Sequence, residues 1–70
     1  MKKIILIDDE RQFLLMVSAR LKANGYAVVT AFSGEQGLQA VKKEIPDLVL
    51  LDRRMPDMDG DEVLERLKKD

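Results

Sequence analysis

The sequence predicts an α/β fold in which three short parallel strands are covered by helices on both faces. Three observations point there. Four consecutive apolar residues, Leu48-Val49-Leu50-Leu51, end abruptly in Asp52, Arg53 and Arg54, and such a run suits a strand buried on both faces better than one of alternating polarity. A second run, Ile4-Ile5-Leu6-Ile7, ends in the same way at Asp8-Asp9-Glu10. Between the runs, apolar residues recur at helical spacing, and strands alternate with helices over short connections, as in a parallel sheet.

Taken in order, residues 4–7 form the first strand, and the acids behind them suit the N-terminus of a following helix. Residues 11–24 carry Phe13, Leu14, Val17 and Leu21 on one stripe, with Arg11, Gln12, Arg20 and Lys22 elsewhere around the wheel. Gly25 is the natural C′ stop. Residues 26–31 form a second, weaker strand, because Ala27 and Ala31 bring little β propensity. Ser33 is the expected N-cap of the next helix, with Gln36 three residues on completing a capping box. Leu38, Val41 and Ile45 give that helix a thin apolar stripe. Gly34 and Gly37 each lower its helicity by ~1 kcal/mol, making it the least stable helix. Pro46-Asp47 ends it. After a loop over residues 53–59, a third helix is expected from residue 60 or 61 to 69, burying Val63, Leu64 and Leu67, with lysines at its end that suit the helix dipole.

Seventy residues make one domain with a marginal core. With no cysteine and no histidine, disulfides and most zinc sites are excluded, which leaves a partner chain or a missing remainder as support. Twelve basic residues against thirteen acidic ones give a net charge of −1, so no global field draws the chain to nucleic acid or an anionic membrane. The apolar run after Met1-Lys2-Lys3 is too short for a signal peptide, and no segment approaches the ~20 apolar residues of a membrane span. A cytoplasmic protein without direct nucleic-acid or membrane contact is expected.

The chemistry lies in the acids. If the first and third strands are parallel neighbours, Asp8, Asp9 and Asp52 meet at their carboxyl ends, where open α/β sheets bind ligands. Two unit charges ~4 Å apart repel by roughly 4 kcal/mol at an effective dielectric near 20, so such a cluster calls for a cation. Mg²⁺, which takes one or two carboxylates plus waters and phosphate oxygens, fits best. Each acidic feature alone reads equally well as a helix cap or a turn residue; both in one sheet favour a ligand site. Asp57-Met58-Asp59-Gly60 resembles the middle of an EF-hand loop, but the loop's first and twelfth places would fall on Met55 and Arg66, which cannot ligate calcium as required. A phosphate-binding glycine loop is absent, and no histidine can serve as general base. A haloacid-dehalogenase-like phosphatase would need its second aspartate two places after the first. An independent enzyme is not expected.

Residues 4–10, then Pro46-Asp47-Leu48-Val49-Leu50-Leu51-Asp52, then Met55-Pro56-Asp57-Met58-Asp59-Gly60 together closely resemble a bacterial two-component response-regulator receiver domain. The resemblance implies a CheY-like, flavodoxin-like fold, here a partial (β-α)₃ unit with strand order 2-1-3. It further implies a phosphorelay signalling role, with Asp52 as phosphoacceptor and a histidine kinase or phosphotransfer protein as phosphoryl donor. Mg²⁺ would be held directly by Asp9, through water by Asp8, and further by Asp52 and the backbone carbonyl of Arg54. Pro56 and Gly60 would fix the loop beside the site.

Two departures stand out. Arg53 occupies a place usually apolar in the family, and is read as reaching solvent. The chain also stops before the strands that would supply the family's Ser or Thr and Lys. The expectation is a single truncated unit over residues 1–70 with switching lost or impaired. Its third strand would then be an exposed apolar edge, to be completed by dimerisation in the order 2-1-3-3′-1′-2′ or by a sandwich through the bare face. The alternative function is a self-assembling structural or interaction module whose inherited acidic site is inactive.

Overall fold

The computed structural model of the chain describes residues 1–51 and Arg66. Its elements are β1 (Lys3–Ile7), α1 (Arg11–Ala23), β2 (Ala27–Ala31), α2 (Gly34–Glu44) and β3 (Leu48–Leu51). The strands form a parallel sheet in the order β2-β1-β3, the α/β arrangement with order 2-1-3 expected from sequence. The loop over residues 53–59 and the third helix lie outside the described residues, apart from Arg66. That residue is helical, and its guanidinium lies 3.2 Å from the Glu35 carboxylate in the first turn of α2.

β1 is apolar on both faces because it is central. Ile4 and Leu6 pack with Leu14 of α1, flanked by half-buried Val17, Leu21 and Val28. Ile5 and Ile7 point the other way, to Ala31, Leu38, Val29, Val41, Val49 and Leu51. The alternation that a strand imposes on its side chains divides the core into two layers, one under each helix.

Of the two expectations for the third strand, burial on both faces and an exposed apolar edge, the described residues show a strand only partly covered. Its register pairs Ile4 with Leu48 and continues to Ile7 with Leu51, so Val49 and Leu51 join the α2 layer. Leu48 and Leu50 fall on the α1 face, where they remain 50% and 41% exposed. The reason is position: α1 lies against β2 and β1. Phe13, expected on the buried stripe, is half-exposed beside a cleft that Leu6, Leu14, Val17 and Leu50 also line.

The turns follow local chemistry. At the end of α1, Gly25 takes φ 89°, its N–H donates to the Lys22 carbonyl at 3.0 Å, and the Tyr26 N–H donates to the Leu21 carbonyl at 3.2 Å. These are the two bonds of a Schellman motif, which needs a left-handed residue at C′. Ser33 caps α2 by accepting from the Gln36 N–H at 3.2 Å. The Gln36 side chain reaches back one residue further than a capping box requires, accepting from the Phe32 N–H at 3.0 Å.

Ile45 does not belong to the apolar stripe of α2. It is the C-cap, at φ 48°, with its side chain 81% exposed. Pro46 disfavours right-handed helix at the residue before it, and the chain turns out there at a cost of ~1–2 kcal/mol. Beyond the turn, Asp47 fastens β3 to β1: its carboxylate accepts from the Lys3 N–H at 2.8 Å, and its own N–H donates to the Lys3 carbonyl at 2.9 Å. The Lys3 ammonium meets the Glu44 carboxylate at 3.0 Å.

Gly37 has a role that its cost in helicity hides. A β-carbon there would lie 2.8 Å from Ile7 Cγ1 and 3.0 Å from Cγ2, and would also collide with Cδ1. Ile7 is 1% exposed and has nowhere to retreat. Gly37→Ala is therefore expected to lower stability by a net ~1–2 kcal/mol in urea unfolding, overpacking outweighing the gain in helix propensity. A stabilised variant would contradict this close approach.

The hydrogen bond and charge of Lys3 hold the Glu44 carboxyl below its ordinary value of 4.5. Since the folded-state value is the lower one, the contribution is complete above about 4.5 and fades as pH falls through the folded-state value. The melting-temperature difference between the protein and Glu44→Gln should thus be present at neutral pH and shrink under acid. The effect is modest because the pair is partly solvated.

Candidate functional site

Parallel pairing decides what meets at the carboxyl end of the sheet. Ile7 and Leu51 are register partners. The next residues in sequence are Asp8 after β1 and Asp52 after β3. Asp8 continues the ladder on its other side, its N–H donating to the Ala31 carbonyl at 3.1 Å. Its backbone is therefore fixed by the same sheet that buries Ile7.

The acids that follow β1 can be tested as helix caps. Glu10 occupies the N-cap place of α1 without a side-chain cap bond, and no acid stands in the first turn. Asp8 Oδ1 accepts from the Glu10 N–H at 3.0 Å, a local turn that bonds none of the N–H groups of α1. Asp9 is exposed and makes no hydrogen bond or ion pair among the described residues. Capping thus accounts for neither side chain.

Among the described residues, neighbouring cations leave the acids uncompensated as well. Arg11, two residues beyond Asp9, stacks its guanidinium over the Phe32 ring at 4.9 Å from the centroid. Two adjacent acids, Asp8 half-buried and Asp9 exposed, suit a hard divalent ion that keeps most of its waters. Among the described residues there is no group of three potential metal ligands. Of the four residues expected to form the site, Asp8 and Asp9 stand together at the end of β1, and Asp52 and Arg54 lie outside the described residues. Sequence reasoning missed Asp47, whose two hydrogen bonds with Lys3, one accepted and one donated, set the entry of β3. A Pro-Asp pair ahead of an apolar run was the available signal.

Among the described residues no helix is long and apolar enough to cross a membrane.

Comparison with known proteins gives a consistent answer. Over 67 residues the chain is 42% identical to the sporulation initiation phosphotransferase F of Bacillus subtilis, covering 96% of this chain and 54% of that protein. Over 68 residues it is 40% identical to the alkaline phosphatase synthesis transcriptional regulatory protein PhoP of the same organism, covering 97% of this chain and 28% of that one. The N-terminal domain of a response regulator receiver protein from Methanoculleus marisnigri superposes with a TM-score of 0.96 at 44% identity, over 100% of this chain and 57% of that structure. The response regulator TrrA from Thermotoga maritima, solved in complex with Mg²⁺ and BeF, superposes at 0.93 with 36% identity, over 99% and 60%. The chain spans about half or less of the curated relatives it matches. With the family model for the response regulator receiver domain matching residues 4–70, the chain belongs to the receiver domain family of two-component response regulators.

Proposed function

We propose that the chain is a Mg²⁺-dependent phosphoacceptor in a two-component phosphorelay, with Asp52 as the acceptor. The observation that carries this reading is the parallel pairing of Ile7 with Leu51, which brings the ends of β1 and β3 side by side while Asp8 and Asp9 remain unused as caps. The phosphoryl donor is a histidine kinase or a phosphotransfer protein bearing a phosphohistidine. In the transfer an Asp52 oxygen bonds to phosphorus as the phosphorus–nitrogen bond breaks, leaving an acyl phosphate and a free imidazole. Phosphoryl transfer is mainly positioning and charge neutralisation, and Mg²⁺ supplies the neutralising charge. Asp9 would hold the ion directly, Asp8 would position a water on it, and Asp52 and the backbone carbonyl of Arg54 would supply the protein's further ligands.

A second reading is favoured by the exposure of Leu48 and Leu50: as a 70-residue polypeptide the chain self-associates through β3. A two-fold axis normal to the sheet makes the two β3 strands antiparallel, in the order 2-1-3-3′-1′-2′. Directly opposed residues must then share a face. This puts the axis through a residue rather than between two, for example at Val49, with Leu48 facing Leu50 of the second copy.

Incubation with a small acyl phosphate and Mg²⁺, followed by intact mass, should give one phosphoryl adduct, lost in Asp52→Asn and on chelation. Asp8→Asn should cost about 10–100-fold in rate, as for ligands acting through a bound water. Absence of an adduct would leave the assembly reading alone. Sedimentation at concentrations on the order of micromolar should show a dimer that Leu50→Lys returns to monomer, since a charge blunts an exposed edge. A monomer from the unsubstituted polypeptide would overturn the self-association.

A further inference from the structure

The pair Asn24-Gly25 stands at the C-terminal cap of α1, and no step of the proposed phosphoryl chemistry uses it. An asparagine followed by glycine is prone to attack by the glycine nitrogen on its own side-chain carbonyl, because no side chain shields that nitrogen. We propose that Asn24-Gly25 is a self-modification site whose reaction with water is held back by the α1 cap.

The chemistry balances with water alone. A bond forms between Gly25 N and Asn24 Cγ, the Cγ–Nδ2 bond breaks, and the proton lost by Gly25 N is carried through water to Nδ2, which leaves as ammonia. Water then opens the cyclic imide at either carbonyl, giving aspartate or isoaspartate. Both residues are exposed to solvent, so water has access.

Three features of the cap oppose ring closure. The Gly25 N–H is donated to the Lys22 carbonyl at 3.0 Å. The Asn24 side-chain NH₂ donates to the Arg20 carbonyl at 2.8 Å, turning the side chain back along the helix. Asn24 also holds ψ 14°, which eclipses Gly25 N with the Asn24 nitrogen. A planar five-membered ring needs Asn24 Cβ in that place, about one third of a turn away at a tetrahedral Cα. The Schellman bonds must therefore open before the reaction begins, and its rate follows the fraying of the last turn. The product carries a new carboxylate at the negative end of the α1 dipole and has lost the donor to Arg20. Modification thus weakens the turn that protected the site.

The test is an incubation of the protein at neutral pH, in buffer and in urea, with peptide mapping of residues 24–25 and enzymatic detection of isoaspartate. Conversion at Asn24 should be at least about tenfold faster in urea than in buffer, as expected where opening of the cap limits the folded-state rate. Asn24→Gln, which would need a larger ring, should show no comparable conversion, and Asn24→Asp should melt below the unmodified protein. Equal rates in buffer and urea would overturn the gating. No isoaspartate at residue 24 in urea would overturn the site.

Discussion

Ile7 is where the constraints of this chain converge. Its backbone pairs with Ala31 on one side and Leu51 on the other, and its side chain is 1% exposed against α2. At Gly37 no β-carbon intervenes between helix and strand. A packed core resists changes as small as one methylene, so the approach of α2 to β1 fixes where β1 ends. The next residue is Asp8, whose N–H is already committed to Ala31. Core packing and placement of the acids are therefore one arrangement.

Much of this was legible because it is written locally. The apolar runs mark the strands, Gly25 marks a left-handed stop, and Ser33 with Gln36 marks a cap; each rests on chemistry within a few residues. What escaped depends on residues far apart in sequence. Gly37 reads as a weakness in α2 until Ile7, thirty residues earlier, is seen against it. Asp47 reads as part of a break until Lys3 appears beside it. Ile45 fits the helical spacing, yet the rule for residues before proline outweighs periodicity at that point. For the site, the order β2-β1-β3 bears out the juxtaposition of the two strand ends, and the described acids reach as far as Asp8 and Asp9.

The run Leu48-Leu51 serves two ends through its alternation. Val49 and Leu51 anchor it in the α2 layer and set the register with β1. Leu48 and Leu50 are left on the α1 face at 50% and 41% exposure. Full burial of a leucine is worth ~1.5–3 kcal/mol, so each retains on the order of 1 kcal/mol for whatever covers that face. An uninterrupted apolar run says that both sides of a strand are to be covered; it does not say by what. The sequence signal for two-sided burial is thus compatible with a β3 whose α1 face is open among the described residues.

The electrostatics of the carboxyl end depend on a residue outside the acidic cluster. Arg11 follows Asp8-Asp9-Glu10 directly, and a surface ion pair with any of them would be worth ~0–1 kcal/mol. Stacking on an aromatic ring at an exposed position is worth about as much, so small geometric biases decide between the two. Here the bias comes from α2: Ser33 caps the helix, and Gln36 reaches back to hold the Phe32 backbone. That fixes the ring over which the Arg11 guanidinium lies. Among the described residues Asp8 and Asp9 consequently carry their charge without an internal cation, which is the condition under which a divalent ion gains most by binding. A cap on the second helix thus bears on which cations are left for the acids at the end of the first strand, through one aromatic side chain.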